Sequence, residues 1–401
     1  MKLLERFTAA FRNPRADYWL LTLYAGAAIV VTVQRGILSF PSDYAIFRAS
    51  FWNLAQGRDL YVLRLDQAHD LFKYSPTFAL LYAPFALLPF VPGLMLWNLV
   101  NAISLFFAFR SLLPGEQARI AQALAFLPML RSMQSSQSNA LVAALIIFAF
   151  ICFERGWQVR AAFSVVVGAS IKIFPLAAIA FALSRPRKAR ALALCAGVGL
   201  VFLLLPLLLV SPGELIRQYQ SWASLQSRET NQLGSSLMGV LFQAGLTWPA
   251  WVIQLAGAGA AIAVLMARRD RWLDRRFQLE YLAFLLIFCV LFNHRSERQS
   301  SVIAISGLII WILSAPRTRW RTALFVAVYS LVTLIGADVT PQVIKRALSP
   351  AARFAIPLTI GWLAILWDLI KTGTSSDVPV STKTVSQAPL GAADDTRQRD
   401  T

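Results

Sequence analysis

The chain is 401 residues long, 57% hydrophobic and only 14% charged, with a mean hydropathy of +0.58. Soluble globular chains carry roughly a quarter charged residues, so a water-facing surface of this length cannot be built and a multi-spanning membrane protein is implied. The net charge of +18 would suit nucleic acid if the basic residues formed one face. They lie instead in short clusters between apolar runs, the pattern of loops facing anionic lipid, so membrane lipid and not nucleic acid is the expected partner.

A basic N-terminal segment, 1–17, precedes an apolar run at 18–38. That run is too long for the core of a signal peptide and lacks a small-x-small cleavage site, so it reads as a first transmembrane helix. Further apolar runs fall near 76–92, 93–110, 118–130, 139–153, 161–183, 191–210, 248–267, 278–292, 300–315, 322–337 and 353–370. Several are shorter than the roughly 20 residues a span needs. They contain Pro84, Pro89, Pro128, Pro175 and Pro206, so broken and tilted helices are expected. The expectation is an all-α, polytopic bundle of about ten to twelve transmembrane helices over 18–370, followed by a polar tail at 371–401 read as disordered and cytoplasmic. Cys152, Cys195 and Cys289 each sit within or beside an apolar run without metal or redox spacing. Neither a metal site nor a cofactor is expected.

Orientation follows from the basic clusters at Lys2/Arg6/Arg12/Arg15, Arg155/Arg160, Arg185/Arg187/Lys188/Arg190, Arg268/Arg269/Arg271/Arg275/Arg276 and Arg317/Arg319/Arg321, all placed in the cytoplasm. The loops 39–75, 131–138, 211–247, 293–299 and 338–352 then lie outside. Segment 161–183 has basic clusters at both ends, so it must turn back, and 168–175 (GASIKIFP) supplies a break with Lys172 near the bend. For 76–110 two readings stay open: a re-entrant 76–92, or Arg110 and Arg119 on the outer side.

The unusual polar residues, which played no part in that map, collect outside. In 40–75, Tyr44, Phe47, Phe51, Leu54 and Ala55 recur at helical spacing, giving an amphipathic helix along the interface. Asp43 stands at its start, where a carboxylate serves either as a helix cap or as a reactive group. Segment 131–139, RSMQSSQSN, is rich in amides that suit sugar hydroxyls and equally cap helices. Lys172 is costly inside an apolar hairpin, and no acidic residue on the hairpin pairs with it; either a structural ion pair or an anionic ligand such as a lipid phosphate would neutralise it. The loop 293–299, NHRSERQ, concentrates His294, Glu297 and Arg298, which suits either a solvated turn or a phosphate or sugar site. His69 has no partner suggested by sequence. A carboxylate as general base and cations that neutralise a departing phosphate would together serve transfer from a lipid phosphate to a hydroxyl.

These residues resemble glycosyltransferase family 87, also called DUF2029, within the GT-C superfamily of membrane glycosyltransferases. The likeness runs through Asp43-Tyr44, Gly57-Arg58-Asp59-Leu60-Tyr61, Tyr74-Ser75-Pro76, Trp97 with Asn101, Ser136-Gln137-Ser138-Asn139, Lys172 with Pro175, and Asn231-Gln232-Leu233. It spans about residues 18–315. Serine replaces glycine at 136, and where mannosyltransferase members carry Trp-x-His-His this chain has Asn293-His294-Arg295-Ser296-Glu297-Arg298. The resemblance implies a GT-C-like bundle and a polyprenyl-phosphate-linked sugar donor, typically of mannose. It implies inverting, metal-independent transfer to a glycolipid or glycan acceptor in cell-envelope synthesis. The location implied is a cell membrane, as of a bacterial inner membrane, with the site on the outer, periplasmic face. On it, Asp43 becomes the general base. Lys172, His294 and Arg298 are candidates for the donor phosphate, with Tyr74 lining the lipid groove. Gln137, Asn139, Asn231, Gln232 and Glu297 are candidates for orienting sugars. A transporter or flippase of lipid-linked sugars is the alternative, but it is expected to show a second broken hairpin in an inverted repeat, and only one is visible.

Overall fold

The structure, a computed structural model, describes residues 11–371 except 39–41, 69, 229–235, 295, 317, 336–342 and 344–348. His69, Asn231, Gln232 and the tail 372–401 therefore lie outside the described residues. Among those described there is no strand. The principal helices are α1 (Ala16–Val33), α2 (Ser42–Ala55), α3 (Phe90–Leu112), α4 (Gly115–Gln134), α5 (Asn139–Glu154), α6 (Gln158–Ile171) and α7 (Lys188–Leu204). They continue with α8 (Pro212–Arg228), α9 (Ala250–Ala267), α10 (Arg275–Leu291), α11 (Ser301–Leu313), α12 (Arg319–Tyr329) and α13 (Ala355–Lys371).

The protein is an all-α, polytopic membrane protein. Four described helices are long and apolar enough to cross a bilayer unaided: Ala16–Leu38, Phe90–Leu112, Lys188–Leu208 and Ala250–Ala267. Other apolar helices are shorter. Asn139–Glu154 has 16 residues, about 24 Å at 1.5 Å per residue, against a hydrocarbon core of about 30 Å. Such helices occupy the middle of the bundle: Leu282, Leu286, Ile287, Val302, Ile303, Leu308 and Ile309 on α10 and α11 are all fully buried.

The two ambiguous segments resolve by packing. After Ser75, whose hydroxyl caps the backbone N–H of Phe78, the chain makes only two short turns, Pro76–Leu81 and Ala83–Ala86, before the long α3. Prolines at 76, 84 and 89 keep this stretch from becoming a span. Arg110 and Arg119 pair with Asp17 at 3.0 and 3.6 Å, and Arg119 Nε donates to the carbonyl of Phe11, so both arginines share the end that holds the N-terminal segment. Segment 161–183 breaks at Lys172, whose backbone is extended. The returning limb, a 3-10 turn at Phe174–Ile179, lies back against α6. A Cβ on Gly168 would be 3.0 Å from Pro175 Cβ, which explains why a glycine stands there.

Because the helices alternate in direction, their ends sort into two sets. At one end Arg275 pairs with Glu154 and also donates to the carbonyl of Leu112, and Arg268 donates to the carbonyl of Leu369. A buried network there joins Arg276 and Arg321 to Glu280, and Arg321 to Asp368, which also accepts from Trp311 Nε1. The described basic clusters thus share this end. The other end holds α2, the loop 135–138, Lys172 and the loop 292–300.

Helix α2 is seated by aromatic packing. Tyr44, Phe47, Tyr74, Phe78, Tyr82, Phe85 and Trp97 touch one another with ring centroids about 5–6 Å apart, a contribution of about 0.5–1.5 kcal/mol per pair beyond burial. Tyr44, Phe47, Phe51 and Leu54 are buried as their spacing suggests, but Ala45 and Ile46 are buried too and Ala55 is exposed. The helix is therefore enclosed more fully than one with a single wetted face. Its anchor is Tyr44, which donates to the carbonyl of Phe85 at 3.1 Å directly over Gly93, where a Cβ would lie 2.1 Å from the Tyr44 hydroxyl and 2.4 Å from the Phe85 oxygen. Gly93→Ala is expected to cost about 1–3 kcal/mol through overpacking and to lower the melting temperature in detergent. Gly197→Ala, on α7 with open space around it, is the control and should leave stability equal or slightly higher.

Candidate active site

Asp43 lies in the first turn of α2. Its described hydrogen bond is not a helix cap: Asp43 Oδ2 accepts from Gln137 Nε2 at 3.0 Å. Gln137 belongs to the amide loop that follows α4. Ser136 there has a left-handed backbone, φ 54°, and its carbonyl accepts from the indole N–H of Trp97 at 2.9 Å. The amide of Asn101, one turn further along α3, accepts from the backbone N–H of Leu141. The Trp97/Asn101 pair therefore holds the loop from below, a role that its i, i+4 spacing on one helix face could have suggested.

Gln137 also accepts from the Tyr74 hydroxyl at 3.2 Å. Next along the loop, Asn139 opens α5 and is fully buried. Its Oδ1 accepts from Lys172 Nζ at 2.6 Å, with the lysine also 6.0 Å from the Phe174 ring centroid. This bond uses one of the three N–H donors of the ammonium. Lys172 and Glu297 both act electrostatically on Asp43, and Asp43 and Glu297 both act on Lys172, so the helix after the first span, the broken hairpin and the late loop contribute to one charged cluster. Asp70 adds a further negative charge on Asp43.

Of the residues singled out from sequence, the structure thus brings together Asp43, Tyr74, Gln137, Asn139, Lys172 and Glu297. For His294 the described contact is with Gln254 on α9, Nδ1 to Nε2 at 3.3 Å, and Arg298 is repelled by the like charge of Arg353. Neither Gln254 nor Asp70 carried a sequence signal that distinguished it from an ordinary surface residue. Among the described residues no three His, Cys, Asp or Glu side chains are grouped to hold a metal ion.

Burial pushes the Asp43 carboxyl up to about 6, and the negative Glu297 and Asp70 act in the same direction. Lys172 and the Gln137 hydrogen bond oppose them. The result is a carboxylate that is ionised at neutral pH yet basic enough to accept a proton.

The arrangement can be set against known proteins at this point. The model of glycosyltransferase family 87 matches residues 72–293, more than half of the chain. The chain belongs to glycosyltransferase family 87. Membership makes it a membrane glycosyltransferase, with a sugar donor and an acceptor as its substrates. The matched region holds Tyr74, Gln137, Asn139 and Lys172, while Asp43 on one side and Glu297 on the other lie outside it. A comparison with curated proteins finds no match.

The raised carboxyl also has a stability consequence. A carboxyl with a folded value above its unfolded one favours the fold fully below about pH 4, and that contribution is lost as pH rises through about 6. Asp43→Asn removes the buried charge. At pH 7.5 the variant should melt about 1–4 °C above the wild type, and the gain should shrink to nothing as the pH falls towards 4. Equal melting temperatures across that range would mean that Asp43 is not desolvated.

Proposed function

We propose that this family 87 glycosyltransferase moves a sugar, mannose or another hexose or pentose, from a polyprenyl-phosphate donor to a hydroxyl of a glycolipid or glycan acceptor. The reaction takes place on the outer side of the membrane, within a GT-C-like bundle, with inversion at the anomeric carbon. The observation that carries the reading is the meeting of Asp43 with Lys172 at the end of the bundle away from the basic clusters. The positive-inside rule assigns the basic end to the cytoplasm, and therefore the Asp43 end to the outside.

Asp43 is the general base. Its Oδ2 is held by Gln137, and Oδ1, which has no described hydrogen bond, takes the proton of the acceptor hydroxyl. The acceptor oxygen then attacks the anomeric carbon from the face opposite the phosphate. The bond from that carbon to the phosphate oxygen breaks, its electron pair stays with the phosphate, and Lys172 neutralises the charge that grows there. With one donor on Asn139, Lys172 keeps two for phosphate oxygens. Glu297, exposed at the rim, accepts hydrogen bonds from sugar hydroxyls; Asn231 and Gln232, outside the described residues, stay with it as sugar-orienting candidates from the sequence. His294 and Arg298 remain candidates for the outer part of the phosphate site.

The test uses the purified protein in liposomes with labelled polyprenyl-phosphate-linked mannose and a membrane lipid extract as acceptor. Asp43→Asn, which keeps the shape of the side chain and removes its basicity, should lower transfer by about 10²-fold or more, the range for general-base loss starting there, at normal membrane insertion. Lys172→Ala should raise the apparent donor KM with acceptor KM largely kept. Transfer by Asp43→Asn at the wild-type rate would remove the base, and an unchanged donor KM for Lys172→Ala would remove the lysine from the phosphate site.

A further inference from the structure

Gln137 and Tyr74 entered the sequence reading as sugar and lipid contacts, but the structure gives both a different employment. The hydroxyl of Tyr74 is 3.2 Å from Gln137 Oε1, and Gln137 Nε2 is 3.0 Å from Asp43 Oδ2. We infer that Tyr74 and Gln137 form a positioning chain that fixes the orientation of the Asp43 carboxylate and keeps it ionised for the transfer reaction. The inference rests on the reading of Asp43 as the base and assigns two residues that act through it.

The reasoning begins with the amide. A glutamine side chain can present either its oxygen or its NH₂ group to a neighbour, and an oxygen facing a carboxylate would repel it. The Tyr74 O–H has one proton to give, and giving it to Oε1 commits the opposite side of the amide, Nε2, to Asp43. Gln137 is 7% exposed, so water cannot readily take over either bond. Tyr74 is itself held. Its backbone carbonyl accepts from the Tyr61 hydroxyl at 2.8 Å, and its ring meets Phe47 edge-on at 4.9 Å. Phe47 lies one turn after Asp43 on α2, so the ring of Tyr74 braces the helix that carries the base while its hydroxyl orients the amide that holds it.

A hydrogen bond donated to the charged form favours that form. The other charged and titratable groups around Asp43 are Lys172, which favours ionisation, and Glu297 and Asp70, which oppose it; Tyr82 also feels the Asp43 charge. Among the described residues, the bond from Gln137, which Tyr74 orients, is the neutral contribution on the ionising side. Losing it should move the titration of Asp43 upwards, and should loosen the carboxylate without touching the donor phosphate site at Lys172.

The experiment measures two things on the full-length protein in liposomes. One is the titration midpoint of Asp43, read by pH-difference infrared spectroscopy on aspartate-labelled protein, with Asp43→Asn identifying the band. The other is steady-state transfer from polyprenyl-phosphate-linked mannose. Tyr74→Phe keeps the ring packing and removes only the hydroxyl. It should raise the midpoint by about one unit and lower kcat about 10-fold, within what misplacement of a reacting group costs, with the donor KM within two-fold of wild type. Gln137→Leu should do the same or more, and it serves as the primary reading if Tyr74→Phe does not accumulate. Tyr74→Phe added to Gln137→Leu should lose nothing further, because the ring is kept and the hydroxyl acts only through the amide. An unmoved midpoint and kcat in both single variants, or an additive loss in the double variant, would overturn the chain. An inert Asp43→Asn with a silent Tyr74→Phe overturns the positioning alone, whereas a fully active Asp43→Asn overturns the base and the positioning together.

Discussion

A carboxylate buried beside a second carboxylate must be held by something, and in this protein the hydrogen bond from Gln137 to Asp43 is where the hold is made. It joins residues 94 positions apart in the chain, one on a helix of the first loop and one on the amide loop at the head of α5. Each side of the bond is separately built in. Tyr44 locks α2 over Gly93, and Trp97 locks the amide loop through the carbonyl of Ser136. Both locks come from α3 or the turns just before it, so a single long helix sets the geometry of the site.

The charges around that bond work against one another by design of their positions. Burial and Glu297 disfavour the ionised carboxylate, while Lys172 and Gln137 favour it. The balance leaves a carboxyl whose titration falls near 6, far above that of an exposed aspartate. Lys172 gains from the same arrangement, since an ammonium in an apolar hairpin needs negative neighbours on other elements when its own element has none. Among the described residues, the late loop contributes to both through Glu297.

The opposite end of the bundle follows another rule. Arginines there pair with Asp17, Glu154, Glu280 and Asp368. Sorting of charge to the two ends follows from the hydrocarbon between them, in which an uncompensated charge is expensive. That is why the clusters could be read as a topology at all.

Composition and charge spacing were enough to read the all-α membrane class, the sharing of one end by the basic clusters and the break at Lys172, because the cost of charge and of broken backbone in hydrocarbon is local and repeats along the chain. The candidate base was legible only through the family resemblance, since Asp43 read from spacing alone suited a cap better. The fold was needed to show that 76–86 is a pair of short turns and not a span, an outcome that its prolines favour. The partners of Gln137, Tyr74 and Glu297 also had to come from the fold, as did the contact of His294 with Gln254. A side chain's partner across the bundle depends on how helices pack, and no periodicity within one segment carries that information. The sequence by itself determined which residues the membrane could not tolerate without a reason; the tertiary structure decided which of them answer one another.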